Sequence, residues 1–284
     1  MSSTVSFPGL GIGNIELNRV AFTLFGKEIY WYGIIICIGL ILALVYGTLK
    51  AKKSNVSSDD FLDCAIAAIP TAVVFARLFY VLTNETHEKT FLDVIAVWDG
   101  GISIIGSIIG GALAIAIVCL IKKKNILEMY DLVVRCVIIG QIIGRLGNFV
   151  NVEVYGVKTT LPWGMYIEEL GYAVHPLFLY EMLWNIIGFV ILHLLAKNKK
   201  FTGEITFTYF AWYGLGRSLL ELLRSPEYIL NGYISHKLSA AAFVVSTAVL
   251  IVLAVRYAKK KQSEAPYEPQ FTEKTEECEN ADAD

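Results

Sequence analysis

The 284-residue chain is 55% apolar and only 18% charged, with a mean hydropathy of +0.56. Soluble domains run nearer about 45–50% apolar and about 25% charged, so this composition excludes an ordinary cytosolic globule, a disordered chain and a disulfide scaffold. The formal charge of −2 is unevenly spread: residues 263–284 carry eight acids against Lys274, a net of −7 that leaves the remaining body at +5.

A bilayer-spanning helix needs about 20 mostly apolar residues. Seven runs meet that need, at 30–49, 61–82, 102–121, 132–150, 178–196, 204–223 and 237–256. In hydrocarbon such runs are helical, because lipid offers no partner for free backbone groups. The predicted fold is therefore all-α, a polytopic integral membrane protein with seven transmembrane helices. The first run begins near Tyr30, has full spanning length and is followed by no small-residue cleavage site, so no removable signal peptide is expected. Four cysteines, Cys37, Cys64, Cys119 and Cys136, sit inside apolar runs, and Cys278 lies in the tail. No CxxC or Cys/His ligand spacing occurs, so these residues read as small hydrophobes and no metal is expected.

Lysine and arginine favour the cytoplasmic loops of membrane proteins. Thirteen of them fall in four clusters: Lys50, Lys52 and Lys53; Lys122 to Lys124; Lys197, Lys199 and Lys200; Arg256 and Lys259 to Lys261. These clusters follow spans one, three, five and seven. The opposite connections hold only Arg19, Lys27, Lys89 and Lys158. The bias predicts an N-terminus outside and a cytoplasmic C-terminus. Residues 1–29 then form an N-terminal extracytoplasmic segment, 30–258 a seven-helix membrane domain whose connection 151–177 makes a small external cap, and 259–284 an acidic, solvated cytoplasmic tail.

Ionisable residues inside a span are costly and usually mark function. Arg77 lies late in span two, and Arg145 late in span four with Gln141 and Asn148 on the same face. Arg217, Glu221 and Arg224 lie late in span six at i, i+4 and i+7, with Tyr213 one turn earlier. With spans two, four and six running outward, these residues share the outer level with the early residues of the inward-running spans. Those are Tyr32, Gly100 to Gly106, His175, Tyr180 and Glu181. Guanidinium groups at headgroup depth suit an anionic phosphate, which they bind bidentately. On the inner side Asp131 and Arg135, one turn apart, read as a local pair at the water boundary. Gly106 and Gly110 in span three, and Gly140, Gly144 and Gly147 in span four, suit close helix packing.

The segment GRLGNFVNVEVYG, Gly144 to Gly156, resembles the signature of the prolipoprotein diacylglyceryl transferase family of bacterial inner-membrane enzymes. In that family's order stand WYG from Trp31, ARLFYVL from Ala76, WDGGISIIG from Trp98, HPLFLYE from His175 and YGLGRSLLELLR from Tyr213. The resemblance covers roughly 20–256 and implies transfer of the diacylglyceryl group of phosphatidylglycerol to the lipobox cysteine thiol of a prolipoprotein signal peptide. The product would be a thioether, with glycerol 1-phosphate released. It implies no metal or organic cofactor, no nucleic-acid partner, and a place in the bacterial cell membrane with the active site toward the extracytoplasmic leaflet. It carries over catalytic roles to Arg145, Arg217, Glu153 and Asn148. Lipid binding falls to Arg145, Asn148, Tyr32, Tyr213 and Gly156, with Arg77, Gly101, Gly106, Glu221 and His175 beside them.

One position departs from the family: a histidine proposed there as catalytic base is Ile105 here, and an isoleucine accepts no proton. Glu153, Glu181 and His175 are the other candidates for taking the thiol proton. Each has a structural alternative: Glu153 orienting an arginine, Glu181 pairing with a helix end, His175 capping span five. Two rival functions share these features, a carrier of anionic solutes and a lipid-binding assembly factor without this chemistry.

Overall fold

The computed structural model describes residues 2–83, 101–228 and 234–264. Gly100, Lys89 and the acidic tail from 265 onward lie outside them. Each of the seven apolar runs carries a helix: α1 (Trp31–Ala51), α2 (Ser58–Thr83), α3 (Ile104–Ile121), α4 (Ile126–Asn151), α5 (Leu177–Leu195), α6 (Glu204–Glu221) and α7 (Ile234–Glu264). Five of them, α1, α2, α3, α5 and α7, are long and apolar enough to cross a membrane. The other two, α4 and α6, are interrupted by Asp131, Arg135, Arg145, Arg217 and Glu221. Both helices also contribute residues to the site described below.

The main packing pairs are α1 with α4, α2 with α3, and α6 with α7, while α5 bridges α4 and α6. Small residues set these approaches. A Cβ on Gly106 would lie 2.3 Å from the Phe75 carbonyl oxygen, and one on Gly110 would lie 2.5 Å from Phe75 Cβ. Without side chains at those two positions α3 closes onto the backbone of α2. Gly140, by contrast, has open space where a Cβ would go and borders a cavity.

The fold is not purely helical. The N-terminal segment forms β1 (Ser2–Phe7), β2 (Ile12–Asn18), β3 (Val20–Leu24) and β4 (Lys27–Tyr30), and the connection after α4 adds β5 (Met165–Ile167) and β6 (Tyr172–Val174). One antiparallel sheet runs in the order β2-β1-β5-β6, with Val5 opposite both Ile15 and Ile167, and β3–β4 form a separate hairpin. The cap therefore joins two segments that are remote in sequence. Val5, Phe7, Val152, Tyr155, Met165, Ile167 and Val174 make its own small core. The alternation Thr4-Val5-Ser6-Phe7 suits a half-buried strand, but each strand is too short to finish its pairing locally.

A second correction concerns Asp131 and Arg135, which are buried and bonded to different partners. The Asp131 carboxylate accepts from the backbone N–H groups of Gly203 and Thr206, both at 2.8 Å, and from Thr206 Oγ1 at 2.7 Å. It thus caps the start of α6, whose first N–H groups have no partner within the helix. Arg135 donates from Nε to the Asp131 carbonyl at 3.0 Å and from Nη2 to Ser54 Oγ at 2.6 Å.

Candidate active site

At the far end of α4 the chain turns out of the helix through two valines with positive φ, Val152 at 50° and Val154 at 57°. Branched side chains resist this left-handed region, so the turn is held against its local preference. Its hold comes from the Val152 and Glu153 N–H groups, which return to the last carbonyls of α4. The result brings Glu153 back over the helix end. Asn148 Nδ2 donates to Glu153 Oε1 at 2.9 Å, and Arg145 Nη1 donates to Asn148 Oδ1 at 3.1 Å. Arg145, Asn148 and Glu153 form one hydrogen-bonded chain.

Glu181, one turn into α5, is the hub. Its Oε2 meets Arg145 Nη2, while its Oε1 accepts from Arg217 Nη1 at 3.1 Å and Arg224 Nη2 at 2.9 Å. Glu221 completes the cluster, with Arg217 Nη2 at 3.1 Å and Arg224 Nε at 3.0 Å. The i, i+4, i+7 stripe expected on span six is present, although α6 ends at Glu221 and Arg224 stands in the turn beyond it. Glu181 is 6% exposed, Glu221 1% and Arg224 7%. Each of these buried charges is ion-paired; Glu181 also accepts hydrogen bonds from Arg217 and Arg224, whereas Glu221 is held by charge proximity without a hydrogen bond to its oxygens.

Two further devices fix this geometry. Trp184 on α5 and Trp212 on α6 stack with centroids 4.3 Å apart, and each Nε1 donates to the other's carbonyl at 3.1 Å. That clasp lies one turn from Glu181 and Arg217 and sets the distance between them. Gly156 sits where three chains meet: its N–H donates to the His175 carbonyl at 2.9 Å, and Val157 N–H donates to the Leu223 carbonyl at 2.9 Å. This ladder ties the turn after α4 to the residue preceding Arg224. His175 Nδ1 lies 3.3 Å from Tyr180 Oη, which accepts from Trp163 Nε1 at 2.7 Å. Burial pushes the His175 imidazole below its usual pKa.

A cavity of about 480 Å³ opens against the cluster. Tyr32, Arg145, Asn148, Gln141 and Tyr213 line its polar end, and Leu40, Ala43, Phe61, Ala68, Ile115 and Val137 line the rest. A smaller cleft behind it is walled by Arg145, Glu181, Trp184, Tyr213 and Arg217. The shape is that of an amphiphile site, with a cationic end and a long apolar body.

A model of the prolipoprotein diacylglyceryl transferase family matches residues 19–256. The chain belongs to that family. It is 41% identical to the phosphatidylglycerol–prolipoprotein diacylglyceryl transferase of Clostridioides difficile (strain 630) over 216 residues, 76% of this chain and 86% of the relative. Identity is 38% over 248 residues with the protein of the same name from Finegoldia magna (strain ATCC 29328 / DSM 20472 / WAL 2508), covering 86% and 97% of the two chains. For the Streptococcus uberis (strain ATCC BAA-854 / 0140J) protein of that name it is 34% over 262 residues, covering 88% and 98%.

Of the residues expected in the site, Arg145, Asn148, Tyr32 and Tyr213 share the cavity, Arg217 and Glu221 join through Glu181 and Arg224, and Gly156 braces the turn. His175 belongs to the cap side through the Gly156 ladder. Arg77, Gly101 and Gly106 instead build the joint between α2 and α3. Arg77 Nη1 donates to the Gly101 carbonyl at 3.0 Å, Gly101 takes a φ of +69°, and Gly106 packs on Phe75. Glu181 was expected as a possible base or helix-end partner. Three guanidinium contacts make it the shared counter-ion of Arg145, Arg217 and Arg224.

Proposed function

We propose that this chain is a membrane transferase that moves the diacylglyceryl group of phosphatidylglycerol onto the lipobox cysteine thiol of a prolipoprotein signal peptide. The observation that carries the reading is Arg145 at the polar end of an apolar cavity of about 480 Å³, joined through Glu181 to Arg217 and Arg224 behind it. A phosphate needs the first feature and two acyl chains need the second. Family membership and the names of the relatives support the same chemistry.

In the reaction the cysteine sulfur, as thiolate, attacks the glyceryl carbon that bears the phosphate oxygen. A C–S bond forms, the C–O bond breaks, and the electron pair leaves on glycerol 1-phosphate. The phosphodiester carries one negative charge and the departing monoester develops a second. Guanidinium groups held in place gain value as that charge appears, which lowers the barrier selectively. Arg145 is the group that meets the lipid, with Asn148 Nδ2, one of whose hydrogens holds Glu153, donating the other to a phosphate or glycerol oxygen. Glu153, whose Oε1 holds Asn148, takes the thiol proton through Oε2 and returns it to solvent. This assignment needs no histidine at position 105, which is an isoleucine here.

All seven helices cross the membrane in this reading, with the N-terminus outside and the C-terminus in the cytoplasm, as the thirteen basic residues against four require. Residues 30–258 are the transferase domain, 1–29 and 151–177 together make the extracytoplasmic cap, and 259–284 are a cytoplasmic tail. The site then faces the outer leaflet of the bacterial cell membrane, where a lipobox cysteine emerges after export.

The test is direct. Protein in nanodiscs with phosphatidylglycerol and a lipobox peptide yields thioether and glycerol 1-phosphate in equal amounts. Arg145→Ala and Arg217→Ala each lower turnover by about 10²–10³. Near-normal turnover in both variants, or lipid binding without product in the parent protein, would overturn the reading.

A further inference from the structure

We infer that Glu181 is a fixed counter-ion that sets the phosphate site at one positive charge, matching the substrate phosphodiester and releasing the more highly charged product. This rests on the transferase reading and extends it from binding to product release. Arg145, Arg217 and Arg224 bring three positive charges, and Glu181 and Glu221 two negative ones. The five-group cluster is therefore one anion short. Glu153 reaches it from outside, through Asn148.

Each arginine has two nitrogens engaged, and exposure says where the missing anion goes. Arg217 spends Nη1 on Glu181 and Nη2 on Glu221, and Arg224 spends Nη2 and Nε on the same two carboxylates. Arg145 gives Nη2 to Glu181 and Nη1 to Asn148, but has the most accessible side chain of the three, 22% exposed against 13% and 7%. It also lines both the large cavity and the cleft behind it. A phosphodiester beside Arg145 brings the cluster to neutrality. A phosphomonoester, with a second pKa near 6, carries about two charges at pH 8 and leaves the cluster in deficit. In a site screened from water that difference weakens the hold on product relative to a site without Glu181.

Three forms of the full chain test this in nanodiscs at pH 8: the parent, Glu181→Gln and Glu181→Asp. The readouts are kcat, the KM for phosphatidylglycerol, and inhibition constants for glycerol 1-phosphate and for deacylated phosphatidylglycerol, which keeps the diester. Removing the charge raises the cluster to plus two. Glu181→Gln then binds glycerol 1-phosphate about tenfold tighter, with KM and kcat both falling as product leaves slowly. Glu181→Asp keeps the parent's inhibition constants.

A Glu181→Gln protein whose affinity for glycerol 1-phosphate is unchanged or weaker, with kcat lowered, overturns the inference, because Glu181 then only orients arginines. Should Glu181→Gln fail to fold, the parent decides alone. It is expected to prefer the dianionic monoester to the monoanionic diester by less than about tenfold, and a preference of about tenfold or more refutes the counter-ion. If the parent forms no thioether the transferase reading falls, while the two anion affinities, read by thermal shift, still decide the charge of the site.

Discussion

Replacing Gly156 by alanine tests how the turn after α4 is tied to the arginine cluster. The added Cβ would lie 2.6 Å from the Leu223 carbonyl oxygen and 2.6 Å from His175 Cβ. Neither neighbour is the free end of a flexible side chain, so the strands must part. Overpacking of this kind costs about 1–3 kcal/mol, and each backbone hydrogen bond stretched adds about 1 kcal/mol. Three bonds are exposed to that spreading: Gly156 N–H to His175 O at 2.9 Å, Val157 N–H to Leu223 O at 2.9 Å and His175 N–H to Val157 O at 3.1 Å. Mid-range overpacking with one of these bonds lost gives a total of about 3 kcal/mol. Because Arg224 follows Leu223 directly, the displacement reaches the carboxylates that hold Arg217. Turnover of the transferase assay should fall about 10²-fold if most of that energy appears in the transition state. Gly13→Ala is the control, since a Cβ there meets nothing within 4 Å. A Gly156→Ala protein with parental turnover and parental thermal stability would refute the reasoning, because no arrangement of the ladder accommodates that methyl group unchanged.

Three other outcomes follow from the same geometry. Asp131→Ala removes the acceptor for two N–H groups at the start of α6 and for Thr206 Oγ1, so thermal stability in detergent should drop by about 2–4 kcal/mol while the folded fraction keeps its turnover. Trp184→Phe deletes one of the two reciprocal indole bonds and leaves the Trp212 carbonyl without that donor, so both stability and turnover should fall, stability by about 1–2 kcal/mol. Burial holds the His175 imidazole below its ordinary value of 6.5, so below that pH the unfolded chain binds the extra proton and the folded one resists it. Stability therefore declines as pH falls below about 6.5, and His175→Gln should lose that part of the decline. The melting temperatures of parent and variant, compared from pH 7.5 to 5, check this, and parallel curves would speak against it.

The helices were legible because their apolar runs are long and because charge clusters separate them. The cap was not. β5 and β6 are three residues each, shorter than any window in which a period of two can be read. The pairing of Val5 with Ile167 joins segments about 160 residues apart, and no local pattern announces such a pair. Asp131 and Arg135 misled for a different reason. Their i, i+4 spacing suits an ion pair, but the unpaired N–H groups opening α6 made the stronger claim on the carboxylate.

In the site, Arg145 and Asn148 were readable from helical spacing, and Arg217, Glu221 and Arg224 from the stripe they form. The part played by Glu181 was not, since it depends on which helices come together. A charge account across spans would have pointed to it. Three arginines at one depth, with Glu221 as their neighbour on the same helix, leave two guanidinium groups that need a second carboxylate if they are to be buried. Within Leu177–Leu195 the single acid is Glu181, one turn from the helix start and therefore at the level of Arg145 and Arg217. Burial demands that partner whatever the reaction is. The excess of one positive charge does not follow from burial, because a third carboxylate would have made the cluster more stable in isolation. The third carboxylate nearby, Glu153, is held off Arg145 by Asn148 rather than paired with it, which leaves beside Arg145 the place that the proposed phosphodiester takes.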